Sequence, residues 1–372
     1  MEDTIGPGKP QIPLWLDCDP GHDDAFAILL AAHHPNLDLL GISTVHGNAS
    51  LERTTVNAGS VLTAIRKADI SVYPGAVKPF CRKAVHAPDI HGTSGLDGTD
   101  LLPSPTSPPI TDVNAVSAMQ TTLLAQPKNT AWLVATGALT NVALLFASFP
   151  EVASHIKGLS IMGGAIGGRF TNAPLGHVKG KGERFGNITP WAEFNIYCDP
   201  EAAQSIFSNP VLASKTTLIP LDVTHQVLAD TSVQQQLLQG PSHTSPPVGL
   251  PTASSRLRKM LHDLLMFFAH TYASVFGITT GPPLHDPIAV AVLLEAKFGA
   301  TTFDDGGGER WLVNVVTEGI HSDRDDERGQ LGRTIIEAIG NGGEGVRIPR
   351  GLNVKRFWDV LEHCVSRAAG EM

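Results

Sequence analysis

The chain of 372 residues is 42% hydrophobic and 17% charged, and its formal net charge of −9 at pH 7 comes without clusters of basic residues. This composition predicts a globular protein and argues against a nucleic acid as partner. No apolar run approaches the roughly 20 residues that cross a bilayer. Because neither a signal peptide nor paired cysteine spacing is evident, we expect no membrane partner and a reducing, cytoplasmic location.

Strand and helix patterns alternate from the start of the chain. Apolar runs typical of buried strands are followed by stretches with helical periodicity. The elements predicted before residue 111 are a strand at 12–16, a helix at 23–34, a strand at 37–45, a helix at 50–68 and a strand at 70–73. This βαβ alternation predicts an α/β fold, a Rossmann-like open and mostly parallel sheet flanked by helices.

The same pattern continues to the C-terminus. It predicts strands at 131–135, 159–162, 216–221, 311–316 and 333–339, and helices at 113–126, 139–149, 199–207, 254–276, 287–297 and 354–369. Since no linker divides the chain, we predict one domain over 1–372 with its core from about residue 12 onward. Stretches rich in glycine, proline and serine predict loop insertions at 76–110, 167–186 and 240–252. The acidic stretch 323–329 lacks the pattern of an EF-hand loop and is expected to face solvent.

Four carboxylates follow the first strand within eight residues: Asp17, Asp19, Asp23 and Asp24. The carboxyl ends of parallel strands open onto the ligand crevice, so we expect all of these side chains in one small volume. Helix capping could explain Asp23 and Asp24, which fall in the first helical turn. It does not explain the two at the strand end. The repulsion among them therefore predicts a hard divalent cation held by oxygen ligands.

The segment at 17–25, Asp-Cys-Asp-Pro-Gly-His-Asp-Asp-Ala, closely resembles the N-terminal signature of the nucleoside hydrolases. Further blocks are similar to the family's and follow in its order at 45–48, 91–98, 135–141, 162–164, 187–195 and 285–287. The resemblance implies the nucleoside hydrolase fold and hydrolysis of the N-glycosidic bond of uridine- or inosine-type ribonucleosides. It also implies a homodimer or homotetramer.

The resemblance further implies a set of metal ligands and a general base. The ligands would be the carboxylates of Asp19, Asp24 and Asp286 and the backbone carbonyl of Thr136, with Ca²⁺ as the cofactor. Calcium accepts several oxygen ligands at once, so it can hold ribose hydroxyls and a water beside the protein ligands. Asp23 matches the general base that takes a proton from that water.

Several positions match the family's contacts to the sugar. Asn48, Asn187, Glu193 and Asn195 correspond to ribose-binding positions, where amides and a carboxylate suit hydroxyls that both donate and accept. Met162 corresponds to a residue that packs beneath the sugar.

Other positions concern the leaving base. His285 and His91 match positions that mark the inosine–uridine-preferring branch, and a histidine of near-neutral pKa can protonate a departing base. His285 is predicted to assist base departure because it adjoins a predicted metal ligand. Tyr272 lies near a position that lines the base pocket. Phe276, one helical turn further on, fits either the core or a contact with the base.

Two alternatives stay open on sequence grounds. Asp17-Cys18-Asp19 also fits an aspartate-dependent phosphohydrolase, although Gly21 stands where that class has a hydroxyl residue. The second alternative is a catalytically silent, calcium-dependent nucleoside-binding protein, which the presence of Asp23 and His285 argues against. The basic insertion 167–186 fits either a surface loop or a lid near the site.

Overall fold

The computed structural model describes residues 11–178, 182–241, 253–295, 302–321 and 329–372. Its strands are β1 (Ile12–Cys18), β2 (Leu37–Thr44), β3 (Val72–Pro74), β4 (Trp132–Ala135), β5 (Gly158–Met162), β6 (Gly176–Val178), β7 (Gly182–Arg184), β8 (Thr216–Ile219), β9 (Phe303–Asp304), β10 (Glu309–Val315), β11 (Thr334–Asn341) and β12 (Gly351–Leu352).

Most of the longer described helices begin and end close to the sequence-based bounds, whereas several others, among them those at 151–155, 194–198 and 231–239, had no predicted counterpart. The described helices are α1 (Asp24–His33), α2 (Leu51–Ala64), α3 (Pro88–His91), α4 (Ala115–Ala125), α5 (Thr140–Ser148), α6 (Glu151–His155), α7 (Phe194–Cys198), α8 (Pro200–Phe207), α9 (Pro210–Ala213), α10 (Leu221–Thr224), α11 (Thr231–Gln239), α12 (Arg256–Phe276), α13 (Asp286–Ala291) and α14 (Val354–Ala369), and a 3₁₀ turn (Val292–Leu294) follows α13. None of the described helices is long and apolar enough to cross a membrane.

Six strands form the central sheet in the order β3-β2-β1-β4-β5-β8, and every neighbouring pair is parallel. The chain runs outward from β1 to β3 and then returns to place β4 on the other side of β1. Strand order therefore reverses between β1 and β4, and ligands of open α/β sheets bind at the carboxyl ends of strands beside such a reversal. This confirms the predicted α/β class and locates the crevice.

Helices cover both faces of the sheet. Side chains of one strand alternate between the two faces, so β1 contributes to the buried cluster on each side. Leu14 and Leu16 of β1 belong to one buried cluster, which α1, α12, α13 and α14 complete. Trp15 belongs to the other, with α4, α5 and α8. Helix α1 lies against both α13 and α14, so most of its residues are buried on all sides. This burial fixes the start of α1, which carries the candidate acids.

Several boundaries differ from the prediction for local reasons. The helix predicted at 50–68 ends at Ala64, because Arg66 takes a left-handed φ of 60°. The strand predicted at 216–221 ends at Ile219, since residues 221–224 form the turn α10. The predicted loop 76–110 contains the short helix α3, which carries His91.

The later insertions are only partly described. The stretch 167–186 contains the antiparallel hairpin β6–β7, and its residues 179–181 lie outside the described residues. Helix α12 contacts β6, which brings this hairpin against the end of α12. The predictions for 242–252, for 322–328 and for the end of the helix at 287–297 also lie outside the described part. Strands β10 and β11 pair antiparallel in a separate ribbon.

Candidate active site

Three carboxylates meet at the carboxyl edge of the sheet. Asp23 and Asp24 stand at the start of α1, and Asp286 is the first residue of α13. One oxygen from each lies within 4.8 Å of the others, and all three residues are buried. Helices α1 and α13 pack together, so two helix N-termini direct these acids to one place.

Asp19 approaches the same place from the end of β1. Its Oδ2 accepts a hydrogen bond of 2.7 Å from the backbone N–H of Asn48, whereas its buried Oδ1 has no partner among the described residues. Two glycines make room for this carboxylate. A Cβ at Gly47 would lie 1.9 Å from Asp19 Oδ2, and one at Gly137 would lie 2.6 Å from Oδ1.

Thr136, directly after β4, links the acids to the opposite wall. Its Oγ1 donates to Asp24 Oδ1 at 2.8 Å, and its backbone carbonyl accepts from Asn195 Nδ2 at 2.9 Å. The second oxygen of Asp24 accepts from the backbone N–H of Gly21 at 2.9 Å and from Asn48 Nδ2 at 3.3 Å. Asp24 is thus held by neutral donors, with no cationic side chain among them.

The crowding of acids is visible in their pKa values. Burial, followed by the Asp24 charge, raises the pKa of Asp23 from 3.8 to about 7. Burial raises the pKa of Asp24 to about 6 against several hydrogen bonds that lower it. The pKa values of Asp19 and Asp286 are raised well above the usual range by burial and by neighbouring acids. The cluster is therefore costly to ionise without a compensating positive charge.

Asp17 does not converge with the other acids as the sequence suggested. It lies within β1, where its Oδ1 accepts from Ser43 Oγ and from Asn141 Nδ2, the latter at 2.8 Å. Alternation along a strand would place residues 17 and 19 on one face, but β1 ends at Cys18, so Asp19 lies beyond the strand and its side chain is free of that alternation. Asp286 from a distant part of the chain joins the close group of Asp23 and Asp24 instead.

The acids border a cavity of about 520 Å³, a volume that includes its opening to solvent. It is lined by most of the residues that the sequence singled out, namely Asp23, Asn48, His91, Thr136, Met162, Asn187, Glu193, Asn195, Tyr272, His285 and Asp286. Asp19 and Asp24 are buried and do not line it.

One wall of the cavity is polar and is organised around Glu193. This residue caps α7, and its carboxylate accepts from the backbone N–H groups of Gly164, Asn195 and Ile196 at 2.8–3.0 Å. Burial nevertheless raises its pKa to about 7. Asn187 Oδ1 accepts from the backbone N–H of Phe194 at 2.8 Å. These contacts fix the backbone around polar side chains that face the cavity.

His285 is held between two hydroxyl groups. Its Nε2 lies 2.7 Å from the Tyr272 hydroxyl, and its Nδ1 lies 2.7 Å from Thr224 Oγ1. Burial lowers the pKa of His285 well below its usual range, and burial raises the pKa of Tyr272 well above its own. Both groups are therefore neutral near pH 7, and one hydrogen bond joins them.

His91 stands on another side of the cavity, next to His22. The Nδ1 atoms of the two rings lie 3.1 Å apart. Burial lowers the pKa of His22 to about 4, and burial together with His22 lowers the pKa of His91 well below its usual range.

Sequence reasoning missed several residues of the site. The cavity is also lined by Ala87, Ile90, Ile188, Phe194 and Phe268, and Phe276 lines it as well. Phe276 packs near Gly176 of β6, and the Arg184 guanidinium lies 5.4 Å from its ring centre. It thus serves both the core and the cavity wall. Helical spacing of Phe268, Tyr272 and Phe276 on α12 was the signal that could have found this apolar wall.

Comparisons with known proteins identify the family of this chain. The sequence model described as inosine-uridine preferring nucleoside hydrolase matches residues 14–359. Uridine nucleosidase of Saccharomyces cerevisiae is 39% identical over 96% of this chain and 97% of its own length. The pyrimidine-specific ribonucleoside hydrolase of Salmonella arizonae is 40% identical over 84% of this chain and 86% of its own length.

Solved structures agree with the sequence comparisons. The purine-preferring ribonucleoside hydrolase of Gardnerella vaginalis superposes with a TM-score of 0.75 and 25% identity, covering 97% of this chain and 100% of its own. A family match of this extent argues against the alternative of an aspartate-dependent phosphohydrolase. The chain belongs to the inosine–uridine preferring nucleoside hydrolase family and is an enzyme that hydrolyses the N-glycosidic bond of ribonucleosides.

Proposed function

We propose that the enzyme is a calcium-dependent hydrolase of uridine- and inosine-type nucleosides, with Asp23 as general base and with His285 assisting the departure of the base. The observation that carries this proposal is the meeting of Asp23, Asp24 and Asp286 beside a cavity lined by amides, a carboxylate and aromatic rings. A nucleoside needs both parts, since its sugar is rich in hydroxyls and its base is flat.

The acidic cluster fits a hard divalent cation. Its donors are oxygens, Asp19 Oδ1 is buried without a partner among the described residues, and burial and like charges oppose ionisation of the acids. The residues that would hold Ca²⁺ are Asp19, Asp24, Asp286 and, through its backbone carbonyl, Thr136. Bound there, the ion would supply positive charge that orients ribose hydroxyls and the attacking water.

Asp23 is the acid of this cluster that we do not assign to the metal, and we assign it to proton transfer. It lines the cavity, and its side chain does not cap α1. Burial, the largest cause of its raised pKa, makes the carboxylate a stronger base than a solvent-exposed aspartate. General-base catalysis by a positioned side chain typically contributes about 10²–10⁴-fold.

The polar wall would bind the ribose. Glu193 retains acceptor capacity on its carboxylate beyond its bonds to backbone N–H groups, and the amides of Asn48, Asn187 and Asn195 add donors and acceptors. The thioether of Met162, 3.4 Å from Asn195 Nδ2, gives an apolar surface for the sugar ring.

The departing base would receive its proton through Tyr272. Tyr272 and His285 both line the cavity, but both ring nitrogens of His285 already face hydroxyl oxygens at 2.7 Å. We therefore assign donation to the base to the Tyr272 hydroxyl, which His285 orients while Thr224 holds His285 in place, and the tyrosinate then regains a proton from solvent. The aromatic walls formed by Phe268 and Phe276 would pack against the base.

The activities named for two relatives favour one nucleoside among the candidate substrates. The similarity to a uridine nucleosidase and to a pyrimidine-specific hydrolase favours uridine among the candidate substrates. We also propose, from the family resemblance, a homodimer or homotetramer and a cytoplasmic location.

Steady-state hydrolysis of uridine, inosine, cytidine and adenosine tests the proposal. We expect uridine turnover that is lost on chelation and restored by Ca²⁺, and a loss of at least about 100-fold in kcat for Asp23→Asn with an unchanged melting temperature in calcium. Saturable nucleoside binding without release of ribose would instead indicate a silent binding protein. Near-wild-type turnover of Asp23→Asn would refute the assigned base.

A further inference from the structure

The hairpin β6–β7 lies against the last turn of α12, where it borders one wall of the cavity. Phe276 is the final residue of α12, is 3% exposed and lines the cavity. A Cβ at Gly176 of β6 would lie 3.3 Å from Phe276 Cδ1, so the strand passes directly beside the ring. Val178 packs against the same apolar cluster, which contains Phe268, Tyr272 and Phe276. The hairpin therefore supports the aromatic wall of the cavity.

Arg184 of β7 joins this hairpin to two residues of the cavity. It pairs with Gly176 in the register of the hairpin. Its guanidinium lies 5.4 Å from the centre of the Phe276 ring, within the distance of a cation–π contact. Its Nη2 donates to the backbone carbonyl of Asn187 at 3.1 Å. Phe276 and Asn187 line the cavity and Arg184 does not, so Arg184 can influence a ligand only through them.

Of these two residues, Phe276 depends more on Arg184. The backbone N–H of Asn187 donates to the Ala192 carbonyl at 3.1 Å, and Asn187 Oδ1 accepts from the backbone N–H of Phe194 at 2.8 Å. These bonds hold Asn187 without Arg184. Phe276 has no further helical turn after it, because α12 ends at this residue. Since the ends of helices fray, the position of its ring rests on the packing of the hairpin.

The start of the insertion 167–186 is anchored independently of Arg184. The Asp222 carboxylate accepts from the backbone N–H groups of residues 166 and 167 at 2.8 and 2.9 Å. His225 Nδ1 donates to the Pro174 carbonyl at 2.8 Å. Removal of the Arg184 side chain should therefore leave the insertion in place and give the Phe276 ring room to move away from the cavity.

We propose that the hairpin β6–β7 limits the size of the base that the cavity accepts, with Arg184 as a positioning residue that holds the Phe276 ring at the cavity wall. The proposal rests on the proposed function in that its ligand is a nucleoside. A pyrimidine has one ring and a purine has two fused rings, so a wall fixed in this position favours uridine over inosine. A difference of one methylene group in an apolar pocket typically changes kcat/KM by about 10–200-fold.

Hydrolysis of uridine and inosine by four proteins tests the proposal. The wild type is compared with Arg184→Ala, Arg184→Lys and Arg350→Ala. The lysine keeps a positive charge beside the ring. Arg350 is a matched control, because its guanidinium lies 4.4 Å from the ring centre of Phe170 in the same insertion and donates to the Phe170 carbonyl at 2.8 Å. Neither Arg350 nor Phe170 lines the cavity.

We expect the wild type to prefer uridine by about tenfold or more in kcat/KM, and Arg184→Ala to reduce this preference to about twofold or less. The change should lie in a lower KM for inosine and a higher KM for uridine, because the wall contacts the base and not the reacting bond. Arg184→Lys should retain most of the preference, and Arg350→Ala should retain all of it even where its Tm falls. A wild type that does not prefer uridine, or an Arg184→Ala protein that keeps the preference, would overturn the proposal.

Inhibition by ribose separates the two contacts of Arg184. Ribose lacks a base, so its inhibition constant should be the same for the wild type and Arg184→Ala if Arg184 acts through Phe276. An inhibition constant that rises together with the KM for uridine would assign the effect to Asn187 and contradict the proposed role.

Crystal structures of the ligand-free wild type and of Arg184→Ala test the wall independently of activity. We expect the Phe276 ring to border the cavity in the wild type and to shift away from it, or to take a second conformer, in the variant. An unmoved ring in Arg184→Ala would contradict the proposal. Absence of turnover of both nucleosides in every protein would count against the proposed function, while the two structures would still decide the position of the ring.

Discussion

Replacing Asp286 by asparagine should have opposite effects on stability in the absence and presence of calcium. Asp286 has carboxylate neighbours within 4.8 Å and is buried. An asparagine removes one charge and offers an N–H₂ group that can donate to Asp23 or Asp24. The metal-free protein should therefore gain stability, and the calcium-bound protein should lose a ligand.

The magnitude follows from the spacing of the acids. Two unit charges 4.8 Å apart repel by about 3 kcal/mol at an effective dielectric constant of about 20. Partial protonation relieves some of this repulsion in the wild type, because the pKa of Asp286 is raised well above its usual range. Holding that proton at pH 8 has a cost of similar size. We expect Asp286→Asn to stabilise the metal-free protein by about 3 kcal/mol, or on the order of 5 °C in Tm.

The assay is thermal unfolding at pH 8 in chelator and in millimolar calcium. Calcium should raise the Tm of the wild type and have little effect on Asp286→Asn. Asp222→Asn is a matched control, since Asp222 is a buried carboxylate that accepts from the backbone N–H groups of Ile166 and Gly167 outside the cluster. It should lower Tm equally in both buffers. An Asp286→Asn protein that is less stable than the wild type in chelator would refute the electrostatic reasoning.

Three further predictions concern the leaving group, pH and the C-terminus. Tyr272→Phe should lower kcat for uridine by about 10²-fold or more. The same variant should change kcat for a 4-nitrophenyl riboside little, because 4-nitrophenolate leaves without needing a proton. Equal losses of kcat for the two substrates would contradict the assigned role. In chelator, the free energy of unfolding should fall as pH rises from about 4 to 7, because the folded protein holds protons on Asp23 and Asp17 up to a pKa of about 7, against an ordinary value of 3.8. The rise in Tm that calcium causes should therefore grow from pH 5 to pH 8. A rise that stays constant over this range would refute the linkage. Arg258→Met should cost about 3 kcal/mol in urea unfolding, because the fully buried Arg258 pairs with Glu362 and Glu371, and a change below about 1 kcal/mol would show that those pairs contribute little.

Much of the architecture was predictable because it is local. The apolar runs of β1 and β2 and the helical periodicity around them gave the parallel sheet, and α14 begins and ends where its periodicity does. The location of the acids after β1 was predictable for the same reason, since residues that directly follow a parallel strand lie at the carboxyl edge of the sheet, where ligands bind.

The contacts that complete the site were not predictable from one sequence. Thr224 meets His285 across 61 positions and His22 meets His91 across 69, and no periodicity relates residues so far apart. Asp17 looked equivalent to Asp19 in the sequence, yet Ser43 and Asn141 bind it within the sheet. Such pairings depend on how whole elements pack, which local patterns do not encode.

The central claim is that the acids at this edge of the sheet bind one calcium ion that also contacts the sugar. A crystal structure grown in calcium with a non-hydrolysable nucleoside analogue tests it most directly. We predict one ion with Asp19, Asp24, Asp286 and the Thr136 carbonyl oxygen at about 2.3–2.6 Å, and with two ribose hydroxyls completing its ligands. A bound analogue beside these acids with no ion among them would contradict the account.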